Sequence, residues 1–399
     1  GRARAAPARG PAVAALGMSW PRAALLLVAS SSRTGPAEGL ISLGREARAR
    51  GIDARFAGDT VRPGEDLGEH LAHAGVPWER ELRLSRKLRP GDLLHDARLL
   101  ADWARSGRFD VLHAAFAHDH HLCLWAASRT RREDLRVVRA AQRSVDVTPG
   151  ALGQRRWALR RSDGVVVHCT AYRDRLLAQG LDPARVAAVP AGVDAAWFTP
   201  GRSPRLRAEW GVPEEAPLAG IVARMKRDRG HHLLLRAFAR SLRQVPDSHL
   251  VLVGRGEHEP PLRELASWVE PSRIHFGGYR RGPALVEAYR ALDVAVWLRE
   301  GNDGGCRGVL EAMACGLPVI AGNEGAPAEL VRDGEHGRVV DAADPARIAS
   351  ALSGLLGDLR AARKMGAAGR ARAEEFTPAR AAEETLSFWR RLRELPRIP

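Results

Sequence analysis

The sequence lacks the features that mark membrane-spanning, disulfide-rich and metal-binding proteins. It has only four cysteines in 399 residues, and none forms a Cys-x-x-Cys pair or stands at metal-ligand spacing with histidine. No run of about 18 apolar residues occurs, so we expect no membrane-spanning helix. We interpret the cysteines as reduced thiols of a cytoplasmic protein.

Aromatic residues are also scarce, at 5%, whereas the formal net charge is +15. Such a charge permits nucleic acid, anionic lipid or anionic small substrates as partners. The arginine-rich runs lack the interleaved aromatic side chains of a single-strand binder, so we expect no nucleic-acid partner. At 45% hydrophobic, a chain of this length can bury a large core and is predicted to form two domains.

Residues 1–17 are rich in Ala, Arg, Pro and Gly, and Met18 directly precedes the first predicted strand. This composition cannot bury apolar surface, so we interpret 1–17 as a disordered extension. It also lacks the long apolar core of a signal peptide.

Strands and helices alternate along the rest of the chain, which predicts an α/β fold with parallel sheets covered on both faces. The proline- and glycine-rich segment 190–217 is predicted to join two domains. The predicted domains are 18–195 and 196–375, followed by segment 376–399. The predicted strands are 24–28, 53–57, 111–113, 136–138, 164–167, 218–222, 250–253, 274–276 and 294–297.

The most informative segment follows the last of these strands. A glycine-rich loop opens a short helix there, so its backbone N–H groups can converge on a phosphate. Glu311 lies about one turn inside the helix and could accept hydrogen bonds from a ribose diol. Asp303, on the loop, could reach a group beyond the phosphates. The predicted phosphate seat comprises Gly304, Gly305, Cys306, Arg307 and Gly308.

Residues 303–319 resemble the donor-site signature of retaining GT-B glycosyltransferases of family 4. The motif consists of an acidic residue, seven intervening positions and then Glu-Ala-Met-Ala-x-Gly-x-Pro-Val (311–319). The segments 190–194, 223–230 and 252–256 resemble further motifs of that family. The resemblance covers roughly residues 18–392. It implies two doubly wound, Rossmann-like domains that face a central crevice, with helix 378–393 crossing back onto the first domain through Phe388 and Trp389.

The resemblance further implies transfer of a sugar from a nucleotide diphosphate donor to a glycan, lipid-linked or small-molecule acceptor. Arg224 and Arg229 would neutralise the donor pyrophosphate, although the family has lysine where Arg229 stands. Asp303 would hold the sugar and Glu311 the ribose. No cofactor or metal is expected, because the arginines take over the neutralising role.

Related enzymes often carry a histidine near the donor sugar, and either His113 or His118 could serve in this chain. The His-x-His pattern of the family is absent, because position 115 is alanine. Two alternatives are a metal site at residues 118–121 and a simple helix start with Asp119 near its cap.

Two glycine-containing loops are weaker candidates. Gly35 follows the first strand, where the first domain would meet the donor. Gly325 lies in a loop that could present N–H groups to the sugar, with Glu329 predicted to charge the start of the following helix.

The basic segment 80–89 contains interspersed leucines and could dock on anionic lipid at the inner face of the membrane, or could be a solvated surface. Two other functions stay open: a nucleotide-sugar isomerase of the same fold, and a catalytically inert nucleotide-sugar binding or scaffold protein. The two departures from the family pattern, Asp303 and Arg229, are the observations that keep the scaffold alternative open.

Overall fold

The computed structural model describes residues 20–32, 34–61, 67–85, 89–148, 153–300 and 305–398. The predicted extension 1–17 and two predicted site residues, Asp303 and Gly304, therefore lie outside the described residues. Within the described ranges, no helix is both long enough and apolar enough to cross a bilayer.

The described part of the first half forms a six-stranded parallel sheet of order β2-β1-β3-β4-β5-β6. Apolar runs such as Leu25–Val28 lie fully buried between helices on the two faces. The strands are β1 Ala23–Val28, β2 Asp53–Gly58, β3 Val111–Ala114, β4 Arg136–Ala140, β5 Gly164–Val167 and β6 Val186–Ala188. The helices are α1 Gly35–Ala49, α2 Leu67–His73, α3 Pro90–Ser106, α4 Ala117–Ala127, α5 Ser144–Val147, α6 Gly153–Arg160 and α7 Thr170–Ala178.

The described part of the second half repeats this plan with the order β9-β8-β7-β10-β11-β12. The strands are β7 Leu218–Val222, β8 His249–Val253, β9 Ile274–Gly278, β10 Val294–Trp297, β11 Val319–Gly322 and β12 Gly337–Val340. The helices are α8 Pro204–Glu209, α9 His231–Ser241, α10 Glu259–Val269, α11 Pro283–Arg290, α12 Arg307–Ala314, α13 Gly325–Leu330, α14 Pro345–Gly357, α15 Leu359–Ala373 and α16 Pro378–Glu394.

Both sheets are doubly wound, which confirms the predicted fold class. In the second sheet, β7 pairs with β10 in parallel, and the strand order reverses between them. A doubly wound sheet binds ligands outside the carboxyl ends of the strands at this reversal. The loops that follow β7 and β10 therefore form the expected ligand edge.

The last helix leaves the second half and packs on the first. On α16, Phe388 and Trp389 are buried in the core that also contains β1 and α1 residues. Arg136 of β4 fixes the end of this helix, because its Nε donates to the carbonyl of Leu392 at 2.7 Å and its Nη2 to that of Leu395 at 2.7 Å.

In the described part of the basic segment 80–89, Leu82 and Leu84 do not form a free apolar face. Leu82 and Leu84 are buried in the core of the first domain. The Asp96 carboxylate accepts the N–H groups of Arg83 at 2.8 Å and Leu84 at 2.9 Å. The leucines are therefore held inside the domain and cannot enter a lipid surface; residues 86–88 lie outside the described part.

Candidate active site

The start of α12 is packed tightly against the end of β10. A side chain on Gly308 would overlap the indole of Trp297, so only glycine lets the helix approach the strand this closely. Cys306 precedes the helix in a left-handed conformation (φ 43°, ψ 41°) and is fully buried. The first turn of α12 thus presents its N–H groups at the carboxyl end of the sheet.

Gly305 lies where the two domains meet. A Cβ on this residue would lie 3.2 Å from the ring of His168 and 3.3 Å from Ala191. Both contacts come from the first half of the chain, so Gly305 lies at the contact between the two domains.

Glu311 is buried, with its carboxylate held from two sides. The Tyr289 hydroxyl donates to Oε2 at 2.9 Å, and Arg307 Nε donates to Oε1 at 3.1 Å. Burial and the adjacent carboxylate raise the pKa of Tyr289, so the phenol keeps the proton that it donates. Glu311 is therefore oriented one turn behind the predicted phosphate seat.

Arg229 ends a short 3-10 turn, Arg227–Arg229, in the loop after β7. Its side chain is 6% exposed, and neither Nε nor Nη1 has a hydrogen-bond partner among the described residues. Its Cζ lies 5.6 Å from the ring centroid of Trp297, which places the guanidinium beside the start of α12. A buried cation without an anionic partner is costly, so this position fits an anionic ligand.

Arg224 lies on the same loop but is exposed. The structure therefore brings the two predicted arginines to one edge of the sheet while giving only Arg229 a buried guanidinium.

His231 was missed by the sequence interpretation. It is the first residue of α9, it is 1% exposed, and neither ring nitrogen has a partner within the described ranges. Burial lowers its pKa to about 3, and the nearby charge of Arg229 acts in the same direction. The available signal was the sequence Arg229-Gly230-His231, which puts an imidazole directly behind the basic loop.

Glu300, three residues after the end of β10 and directly before the glycine-rich loop, was also missed. Its carboxylate is buried and accepts hydrogen bonds from the Tyr172 hydroxyl and, at 2.9 Å, from the N–H of Ala326. Burial raises the pKa of Glu300. Because Tyr172 belongs to α7, this acid links the two domains.

These contacts involve the loop of Gly325, whose proposed role at the sugar stays a prediction. Gly325 has a φ of 63°, and a side chain on it would overlap the Glu300 carboxylate. The N–H of Ala326 is already bonded to Glu300, so it does not await a sugar. Gly325 makes room for an internal acid.

Glu329 differs from its prediction. It lies near the end of α13, too far along to act on the start of its own helix. Its two oxygens instead accept the N–H groups of Thr170 at 2.9 Å and Ala171 at 2.8 Å, at the start of α7. A carboxylate there satisfies helix N–H groups that otherwise lack partners.

The predicted histidines lie on the first domain in different surroundings. His113 is buried in β3 with its ring 5.6 Å from that of Trp389 on α16, in T-shaped contact. Burial lowers its pKa to about 3. His118 is half-buried in the first turn of α4. The structure thus places His113 in the domain core and His118 near the carboxyl ends of the strands.

The neighbours of His118 do not converge on one ion. Asp119 accepts the N–H groups of Ala29 at 2.9 Å and Phe116 at 3.3 Å, as the helix-cap alternative expected. His120 Nε2 lies 2.8 Å from the Ser162 hydroxyl. Gly35 is the first residue of α1 and is exposed. Gly35 and His118 both belong to the first domain, whereas the loop before α12 belongs to the second.

Two family models match consecutive parts of the chain. The model described as Glycosyltransferase Family 4 matches residues 34–197. The model described as Glycosyl transferases group 1 matches residues 202–372. The junction between the matches falls in the segment predicted to join two domains.

Curated relatives with similar sequences are named glycosyltransferases. A D-inositol 3-phosphate glycosyltransferase of Acidothermus cellulolyticus is 36% identical over 44% of this chain and 42% of its own length. A GDP-mannose-dependent alpha-(1-6)-phosphatidylinositol monomannoside mannosyltransferase of Mycolicibacterium smegmatis is 35% identical over 60% of this chain and 66% of its own length. The Corynebacterium diphtheriae D-inositol 3-phosphate glycosyltransferase is 28% identical over 88% of both chains. The first of these matches thus spans less than half of the relative.

Solved structures share the whole fold at lower identity. Anabaena HepE in complex with UDP-glucose has a TM-score of 0.76 and 20% identity, over 92% of this chain and 99% of its own. Sucrose-phosphate synthase from Thermosynechococcus elongatus has a TM-score of 0.73 and 21% identity, over 93% and 99%.

Proposed function

Because this chain belongs to the GT-B glycosyltransferases described by the group 1 and family 4 models, we propose that it transfers a sugar from a nucleoside diphosphate sugar to an acceptor hydroxyl. Retention of the anomeric configuration is proposed with it, as in the family that the sequence resembles. The acceptor is a glycan, a lipid-linked molecule or a small molecule.

The observation that carries this proposal is the buried guanidinium of Arg229. It lies at the strand-order reversal, beside the first turn of α12, with Nε and Nη1 lacking partners among the described residues. A diphosphate would supply the missing negative charge and accept both N–H groups. The same site in a protein that binds no anion would carry an uncompensated desolvation cost.

The proposed chemistry stabilises the departing diphosphate. Arg229, Arg224 and the α12 N–H groups would hold negative charge as it develops, which lowers the barrier for cleavage of the sugar–phosphate bond. Glu311, held by Tyr289 and Arg307, would accept hydrogen bonds from the ribose. From the sequence we assign sugar positioning to Asp303. The proposal includes no cofactor and no metal.

The named relatives support a polyol acceptor. Two are named for D-inositol 3-phosphate and one for phosphatidylinositol monomannoside. We therefore propose an inositol-type acceptor, free or lipid-linked. We place the reaction on the cytoplasmic side, where nucleotide sugars are available. If the acceptor is lipid-linked, we propose that the protein contacts the membrane surface. Leu82 and Leu84 cannot make this contact because they are buried.

A panel of nucleotide sugars tests the proposal. Thermal shifts with GDP-mannose, UDP-glucose and their free diphosphates identify the donor, since a ligand that binds the native state raises the melting temperature. Transfer is then measured with inositol phosphates and EDTA in the buffer. A glycosylated acceptor supports the proposal. Release of an isomerised nucleotide sugar identifies the isomerase instead, and donor binding with neither transfer nor hydrolysis of the donor identifies the scaffold.

A further inference from the structure

Three side chains around the ends of β7 and β10 carry buried nitrogens that lack partners among the described residues. These nitrogens are Nε and Nη1 of Arg229, Nδ1 and Nε2 of His231, and Nε1 of Trp297. Arg229 lies over Trp297, and its charge acts on His231. Buried polar groups are almost always satisfied in folded proteins, so such a cluster requires explanation.

His231 differs from buried histidines of this chain that have polar partners, and it differs from His113, whose ring nitrogens also lack partners among the described residues, because His113 packs against Trp389 in the core of the first domain. His120 pairs with Ser162 at 2.8 Å, and His249 lies 2.9 Å from His275 Nε2. His231 is instead the first residue of α9 and lies on the same buried face of this helix as Leu234. It directly follows the basic loop that ends at Gly230. Its ring therefore lies at the ligand end of the helix.

The protonation state of His231 defines what it can offer. With a pKa of about 3, the ring is neutral at physiological pH and has one N–H donor and one acceptor nitrogen. A neutral donor adds a directed hydrogen bond beside Arg229 without adding a second buried positive charge.

We propose that the His231 ring N–H donates to the terminal phosphate of the nucleoside diphosphate, beside Arg229, and so positions the leaving group. This inference rests on the proposed function. It concerns a residue that the donor-site signature does not include. His231 would contact only the second phosphate. The loss of its ring should therefore weaken binding of the nucleoside diphosphate and leave the affinity for the monophosphate unchanged.

The test compares affinities by calorimetry for the nucleoside diphosphate and monophosphate of the donor identified above. His231→Phe removes the N–H and keeps a buried ring, whereas His231→Gln keeps an N–H donor. We expect H231F to lower the diphosphate-to-monophosphate affinity ratio about tenfold or more, as for a hydrogen bond to a charged acceptor. H231Q should recover part of the ratio.

His249→Phe is the matched control, because His249 is a buried histidine at the opposite end of the same sheet, bonded to His275 and Arg273. It should alter stability and leave the ratio unchanged. A ratio within twofold of wild type in H231F overturns the inference. His231→Ala gives the same readout if H231F folds poorly. Failure of the wild-type protein to bind any nucleoside diphosphate overturns the proposed function itself.

Discussion

The Arg229 guanidinium lies over the indole of Trp297, with its Cζ 5.6 Å from the ring centroid. This contact joins the loop after β7 to the end of β10. A planar guanidinium can stack on an aromatic face in a way that a lysine ammonium cannot match. Trp297 therefore gives a physical reason for arginine at a position where the family that the sequence resembles has lysine.

Replacing Arg229 by methionine should destabilise the ligand-free protein little, because the change removes a buried charge whose Nε and Nη1 have no hydrogen-bond partner among the described residues and keeps an apolar side chain against Trp297. Arg207→Met is the control. That arginine is equally buried but donates to the carbonyls of Ala291 and Ala216 and to Asp293 at 2.6 Å. We expect R207M to lose about 3 kcal/mol or more. Denaturant unfolding of both variants decides this; equal losses would contradict the prediction.

Substitutions at Glu311 and Asp303 should affect nucleotide affinity and donor turnover differently. Glu311→Gln should weaken nucleoside mono- and diphosphate binding alike, by about 1 to 3 kcal/mol for a lost charged hydrogen bond. Asp303→Asn should leave diphosphate affinity nearly unchanged and lower turnover of the donor. Calorimetry combined with steady-state kinetics separates the two. The same loss of affinity in both variants would refute this division of roles.

Glu300 should make stability fall as pH rises. Burial raises its folded-state pKa, so the folded protein binds the Glu300 proton more tightly than the unfolded chain does. Its contribution is greatest below the ordinary glutamate pKa of 4.5 and is lost as pH rises through the raised value. Glu300→Gln mimics the protonated acid, so wild type should lose stability relative to E300Q as pH rises above the ordinary glutamate pKa of 4.5. A difference that grows in the opposite direction would contradict the assignment.

Glu329→Gln should destabilise the protein by about 1 kcal/mol, since the carboxylate caps two N–H groups at the start of α7. Glu264→Gln, at an exposed position on α10, is the control and should change the free energy of unfolding by less than about 0.5 kcal/mol. Thermal unfolding of both variants is the measurement. Equal behaviour would show that the link between α13 and α7 contributes nothing to stability.

Much of the fold could be predicted from the sequence, because apolar runs such as Leu25–Val28 become buried parallel strands. The start of α12 was also predictable, since glycines and Glu311 occur at recognisable spacing. Contacts between distant segments were not predictable. Tyr172 and Glu300 meet across 128 positions, and Trp389 covers His113 only after α16 crosses to the first domain. No local pattern encodes such pairings.

Calorimetric titration of a nucleoside diphosphate into wild type and Arg229→Met tests the central claim most directly. The account predicts binding to wild type and an affinity about 100-fold lower in R229M, because a diphosphate loses its charge-assisted hydrogen bonds to the buried guanidinium. Equal affinity in the two proteins would show that Arg229 does not hold the diphosphate and would contradict the account.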